Sequence, residues 1–174
     1  MKKVLLVVIL LGIFVSSGAQ SNNASGEYVG KTDNTVEWVD MGLSVKWASC
    51  NVGASGPEEY GDCHPFSEVY GNYRIPTLAE IWDLVDNCDW SWVDRDGHHG
   101  CMVTSPKTGQ SIFFPAAGMI GAEGPEEVES AGYYWFLVSE GEECYLRFVS
   151  DEIFLQTNKV PKLFRYYIRL VSDN

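Results

Sequence analysis

Chemistry in this chain could begin at Asp94-Arg95-Asp96-Gly97-His98-His99, where two imidazoles stand beside two carboxylates. Such a set could offer nitrogen and oxygen donors to a transition metal, and the acid-x-acid-Gly order has the flavour of a calcium loop. Two arguments weaken both readings. The glutamate that completes an EF-hand loop is missing, and adjacent histidines on a strand face opposite ways. A hairpin turn with exposed histidines explains the stretch better. Cys63-His64 sets a thiol beside an imidazole, but the two are adjacent, and outside the cytoplasm such a thiol is prone to oxidise. No Gly-x-Ser-x-Gly elbow, His-Glu-x-x-His helix or phosphate loop occurs. The reading is a chain without catalytic residues, metal or cofactor.

Recognition is the remaining chemistry, and the aromatic residues are its candidates. Trp38, Trp47 and Trp82 fall in strand or helix patterns and read as core, each with its N–H partnered. Trp90 and Trp92, Tyr133 and Tyr134, and Tyr166 and Tyr167 come in close pairs. At strand spacing some of these must point outward, where rings beside acids suit stacking on sugars or anchoring a protein partner. Packing at the edge of a small sheet competes with that reading. The ligand-binding candidates are Trp92, Asp94, His98, Tyr133 and Tyr134, near a recognition loop over 118–135. Arg74, Arg165 and Arg169 read as structural ion pairs.

These residues must be held by short strands and one helix. Val36-Glu37-Trp38-Val39 and Leu43 to Ala48 alternate apolar with polar around a Met41-Gly42 turn. Residues 53 to 73 lack periodicity and read as loop. Thr77 and Glu80 form a capping box, followed by Leu78, Ile81, Trp82 and Val85 at helical spacing, with Pro76 before the cap and Asn87-Cys88 ending the helix. Strands follow over 90–92, 101–103, 111–114, 133–138, 144–149 and 153–156, and the last over 164–171. Gly118 to Gly132, rich in glycine and glutamate, reads as a long irregular stretch. Many short strands with one early helix predict α+β with antiparallel sheet.

The N-terminus carries an address. Lys2-Lys3, the apolar run Val4–Val15 and Ser16-Ser17-Gly18-Ala19 match the three parts of a secretory signal cut before Gln20. Twelve apolar residues rise about 18 Å as a helix, too little for a hydrocarbon core of about 30 Å. The organisation is therefore a signal peptide over 1–19, a polar flexible lead-in over 20–34 and one domain over 35–174, with no membrane insertion after cleavage. Cleavage leaves ten basic against twenty-four acidic residues, a net charge of −14. So acidic a surface repels phosphate backbones and argues against nucleic acid as a partner. Five cysteines enter an oxidising compartment, and the odd number leaves at least one out of any disulfide set. No C-x-x-C pair suggests a zinc knuckle or a redox motif.

Residues 39–54, beginning Val39-Asp40-Met41-Gly42-Leu43 and reaching Trp47-Ala48-Ser49-Cys50-Asn51-Val52-Gly53, resemble the opening signature of the Fibrobacter succinogenes major paralogous domain family. Pro57-Glu58-Glu59-Tyr60-Gly61-Asp62, Arg74-Ile75-Pro76-Thr77 with Glu80, Asn87-Cys88, Phe114-Pro115-Ala116-Ala117-Gly118, Gly132-Tyr133-Tyr134-Trp135 and Arg169-Leu170-Val171 extend the likeness, colinear over about residues 38 to 171. That family is similar in turn to sulfatase-modifying-factor domains. The resemblance implies a C-type-lectin-like fold: a mixed, mainly antiparallel sheet with one or two helices, close chain ends and a long irregular loop region. It also implies export in a Gram-negative, Bacteroidetes-type bacterium, to the periplasm, surface or medium, often in an adhesion setting. The implied partner is a glycan or a surface protein; a structural or assembly subunit of a surface structure is the alternative. Cys50 and Cys88 match family positions, which implies a Cys50–Cys88 disulfide.

The chain departs from its relatives at their reactive positions. The Glu-Pro-Asn, Gln-Pro-Asp and Trp-Asn-Asp tripeptides of calcium-dependent lectins are replaced by Phe114-Pro115-Ala116 and Trp135-Phe136-Leu137. Only Cys144 lies in the last third, where formylglycine-generating relatives carry a cysteine pair.

Overall fold

Short apolar runs separated by glycine-rich turns give this chain many brief strands, and its sheets are correspondingly small. The computed structural model describes residues 3–7, 36–69, 73–138, 143–157, 160 and 162–174; the lead-in over 20–34 and most of the export segment lie outside them. The order is β1 (Lys3–Val7), β2 (Trp38–Val39), β3 (Val45–Ala48), β4 (Cys63–His64), α1 (Phe66–Val69), α2 (Leu78–Asn87), β5 (Asp89–Arg95), β6 (His98–Thr104) and β7 (Ser111–Pro115). It continues with β8 (Met119–Gly121), β9 (Gly124–Glu126), β10 (Gly132–Leu137), β11 (Glu143–Phe148), β12 (Glu152–Gln156), β13 (Tyr166–Tyr167) and β14 (Val171–Asp173). The architecture is α+β with open, mostly antiparallel sheets.

Among the described residues four sheets divide the strands: β1-β12-β11-β10-β13-β4, β14-β3-β2, β5-β6-β7 and the hairpin β8-β9. Only β1–β12 and β10–β13 pair in parallel among the named strands. β10 is the pivot. Tyr134 and Phe136 enter one core cluster with Trp47, Phe114 and Phe148, while Tyr133 and Trp135 enter a second with Phe66, Tyr166 and Ile168. Successive side chains of a strand face opposite ways, so a strand between two cores is apolar at every position.

The helix starts where the capping box requires. Thr77 accepts from the Glu80 amide, the Glu80 carboxylate accepts from the Thr77 amide at 2.7 Å, and Cys88 is the C-cap. Glu80 also binds Arg74 at 2.6 Å, tying the cap to the preceding segment.

Several expectations need correction. Residues 53–73 hold β4 and α1, stabilised by burying Phe66 and Val69 rather than by any periodic pattern. Gly118–Gly132 contains the β8–β9 hairpin. The closing run is two strands in different sheets, because the chain leaves β13 at Ile168 and enters β14 at Val171. Trp38 is 40% exposed, since its two-residue strand is a sheet edge. Trp47 is buried as expected, but its Nε1 finds no acceptor among the described residues. The Cys50–Cys88 disulfide is absent. The Cys50 thiol donates to Ala54 O at 3.5 Å, while Cys88 sits at the helix end, its thiol pushed up to about 11 by burial and by Asp83 and Asp89.

Candidate functional site

The candidate residues part into two groups, one at the β5–β6 turn and one inside the molecule. Asp96 and Gly97 connect β5 to β6 with φ of 53° and 86°, the mirror-type conformation that suits a two-residue hairpin. Register then sets Asp94 opposite His99 and Trp92 opposite Cys101. Side chains two apart share a face, so Trp92 and Asp94 lie together with His99. The Trp92 and His99 rings stack at 6.0 Å, and His99 Nε2 lies 3.6 Å from Asp94 Oδ2.

A residue from the glycine-rich stretch completes this rim. The last rung of the β6–β7 ladder is Gly100↔Pro115. Beyond it the Ala116 amide donates to His99 O at 2.8 Å, but Ala116 O accepts from the Glu129 amide at 2.7 Å. The His99 amide is thereby left to the Glu129 carboxylate. Glu129 Oε1 also accepts from the Tyr60 hydroxyl and lies 3.0 Å from His98 Nδ1, while His99 Nδ1 is 3.6 Å from Oε2. One carboxylate thus meets both histidines. The alternation argument against their cooperation holds within the strand but not for a group arriving at the strand's end.

Glu129 stands at φ 63°, a conformation unfavourable for a side chain with a Cβ and retained where the surroundings over-determine it. Burial works against its charge, but the hydrogen bonds from Tyr60, the His99 amide and His98 outweigh it and hold its pKa below the ordinary 4.5. Burial and the same carboxylate push the Tyr60 hydroxyl upward, so it remains a donor. A carboxylate stabilised in this way is a weak proton acceptor near neutrality. The arrangement clamps a loop to a hairpin. Among the described residues no group of three His, Cys, Asp or Glu side chains could hold a metal ion.

Tyr133 and Tyr134 do not join the rim. They are 5% and 2% exposed, because β10 is covered on both faces. The Tyr133 hydroxyl donates to Glu127 Oε2 and accepts from Arg147 Nε, each at 2.8 Å, while Tyr134 donates to Pro115 O at 2.9 Å. Burial raises both hydroxyls to about 12. Tyr166 and Tyr167 are buried as well, so neither tyrosine pair turns a ring outward. Arg74 makes the expected ion pairs, with Glu80 and Asp173. Arg169 departs from that expectation: its guanidinium donates to neutral acceptors.

Trp92, Asp94 and His98 all lie on the β5–β6 hairpin, where Glu129 meets both histidines and Tyr60 meets His98, two contacts the local sequence does not mark. Tyr60 lies 69 positions from Glu129, and no local pattern marks contacts at that separation. Comparison of the chain with family models, curated proteins and solved structures gives no match. The geometry of the rim therefore carries the functional argument alone.

Proposed function

We propose that this chain is an exported, non-enzymatic recognition module on a C-type-lectin-like scaffold. In this reading it binds a glycan or a surface protein at the β5–β6 rim. The observation that carries it is the Trp92–His99 stack beside Asp94 and Glu129. His98, His99 and Asp94 are 43%, 46% and 60% exposed at their side chains. Aromatic faces stack on apolar sugar faces or on a partner's side chains, and flanking carboxylates accept hydroxyl or amide hydrogens. Fixed rings and a clamped loop lose little entropy on binding. The scaffold reading is supported by the ends of the domain meeting in one sheet, where β3 pairs with both β2 and β14.

The test uses the exported chain on a glycan array and against envelope proteins of the source cell. A specific ligand is expected, with Trp92→Ala weakening it about tenfold or more, the cost of one recognition residue. Asp94→Asn should weaken it less. Negatives across both probe sets, or binding that survives Trp92→Ala undiminished, would end the reading. Tyr133→Ala is the wrong probe, because it empties a core position.

A further inference from the structure

The six-stranded sheet ends differently at its two edges. β4 is two residues long and followed by Pro65, a form of edge that resists pairing with another chain. The opposite edge strand is β1, which pairs with β12 in parallel over five positions, from Lys3↔Glu152 to Val7↔Gln156. The Val149 amide donates to Glu152 O at 3.0 Å, so the backbone groups of Glu152, Phe154 and Gln156 face β11. Alternation turns those of Ile153 and Leu155 outward onto β1. β12 reads Glu-Ile-Phe-Leu-Gln, with neither proline nor lysine to guard it. Ile153 and Leu155 are 1% and 0% exposed, which anchors the strand to the core.

Lys3–Val7 lies within the segment that reads as an export signal. A cut before Gln20 removes β1 and leaves the outward amides and carbonyls of Ile153 and Leu155 without their partners. We propose that β12 is a strand-accepting edge in the exported chain. Its occupant is an extended, aliphatic segment of a different polypeptide, laid parallel to β12 as Lys-Val-Leu-Leu-Val is. The lead-in over 20–34 is a poor substitute, being rich in serine, asparagine and glycine, which weaken strands. In such strand addition the main-chain ladder supplies affinity and alternate side chains supply selectivity, so the net negative charge of the domain is no obstacle to an aliphatic partner. The proposal rests on export processing and not on the Trp92 rim.

The experiment takes the chain as an exporting cell releases it, determines its N-terminus by mass spectrometry and adds a synthetic peptide of residues 2–9. Amide exchange is followed by NMR. The processed chain should begin at Gln20, and its Ile153 and Leu155 amides should exchange fast alone and about tenfold or more slowly with peptide. The Phe154 amide, which faces β11, should be protected throughout. A peptide with proline in place of both Leu5 and Leu6 should give no protection, since one of two consecutive residues must donate to β12. An exported chain that retains residues 3–7 overturns the proposal, because β1 is then its own strand. A processed chain whose two amides ignore the peptide overturns it as well, and so does their protection in a homodimer. The readout lies at β12, so its failure is distinct from failure of binding at the rim.

Discussion

Arg169 is 1% exposed and surrounded by neutral acceptors: Asn51 Oδ1 at 3.0 Å, Ala48 O at 3.0 Å, Ser49 O at 2.9 Å and Phe113 O at 2.8 Å. Its guanidinium lies 4.5 Å over the Phe114 ring, and burial lowers its pKa. Replacing it strands several buried acceptors, each of which costs about 1–3 kcal/mol when left unmade. Arg169→Met should therefore cost about 3 kcal/mol or more in urea unfolding, and Arg169→Lys should recover only part, lacking the planar fork. A second prediction belongs to the carboxylates. Burial opposes the charges of Glu80, Glu127 and Glu129, yet hydrogen bonds and arginines prevail and depress all three below 4.5. A folded-state pKa below the unfolded one gives stability that is present above the unfolded value and lost as pH falls through the folded one. Chemical denaturation should show stability declining from about pH 5 downward, and Glu80→Gln with Glu127→Gln should flatten that decline. An unchanged slope in the double variant would count against these ion pairs as the cause.

At the level of elements, turns and caps carry the predictions. Gly118 has φ 70°, and a Cβ there would meet Glu126 O at 2.2 Å and Val128 N at 2.7 Å. Both atoms are backbone and cannot swing aside, so Gly118→Ala should displace the 124–129 segment and destabilise the fold by more than the ordinary positive-φ cost of about 1–2 kcal/mol. Gly97 also has a positive φ, but a Cβ there meets nothing within 4 Å. Gly97→Ala should cost only that conformational amount, and equal thermal shifts for the two variants would contradict the contrast. Thr77→Ala removes one acceptor from the cap of α2 and should cost about 1 kcal/mol. Glu80→Ala should cost more, because Glu80 closes the capping box and also holds Arg74.

Across the whole molecule the two core clusters meet through β10, so side-chain loss on either face of that strand should lower one common unfolding transition. Trp135→Ala and Phe136→Ala point into different clusters, and each should cost about 3–5 kcal/mol. Two separate transitions in either variant would show that the clusters unfold independently. The thiols give a further check on the global fold. Burial raises Cys63 to about 11, with opposing help from the Ile120 backbone and Arg165, and it raises Cys88 similarly. Thiolates carry the reactivity, so alkylation of both near pH 8 should be slow in the native chain and rapid in denaturant.

The strand–turn pattern, the capped helix over Leu78–Asn87 and the place of Trp92, Asp94 and His98 beside a tight turn followed from the residues themselves, because periodicity, capping and hairpin chemistry act over a few positions. Local sequence left three things undecided. Whether Tyr133 and Tyr134 face water depended on what covers each side of β10. Whether Arg169 meets an acid or carbonyls depended on which segments cross above it. Whether Glu129 belongs to the rim depended on a loop returning to the end of β6. Each is a contact between residues distant in the chain, and such contacts are fixed by how sheets stack and where ladders stop. Tertiary packing alone supplies that information.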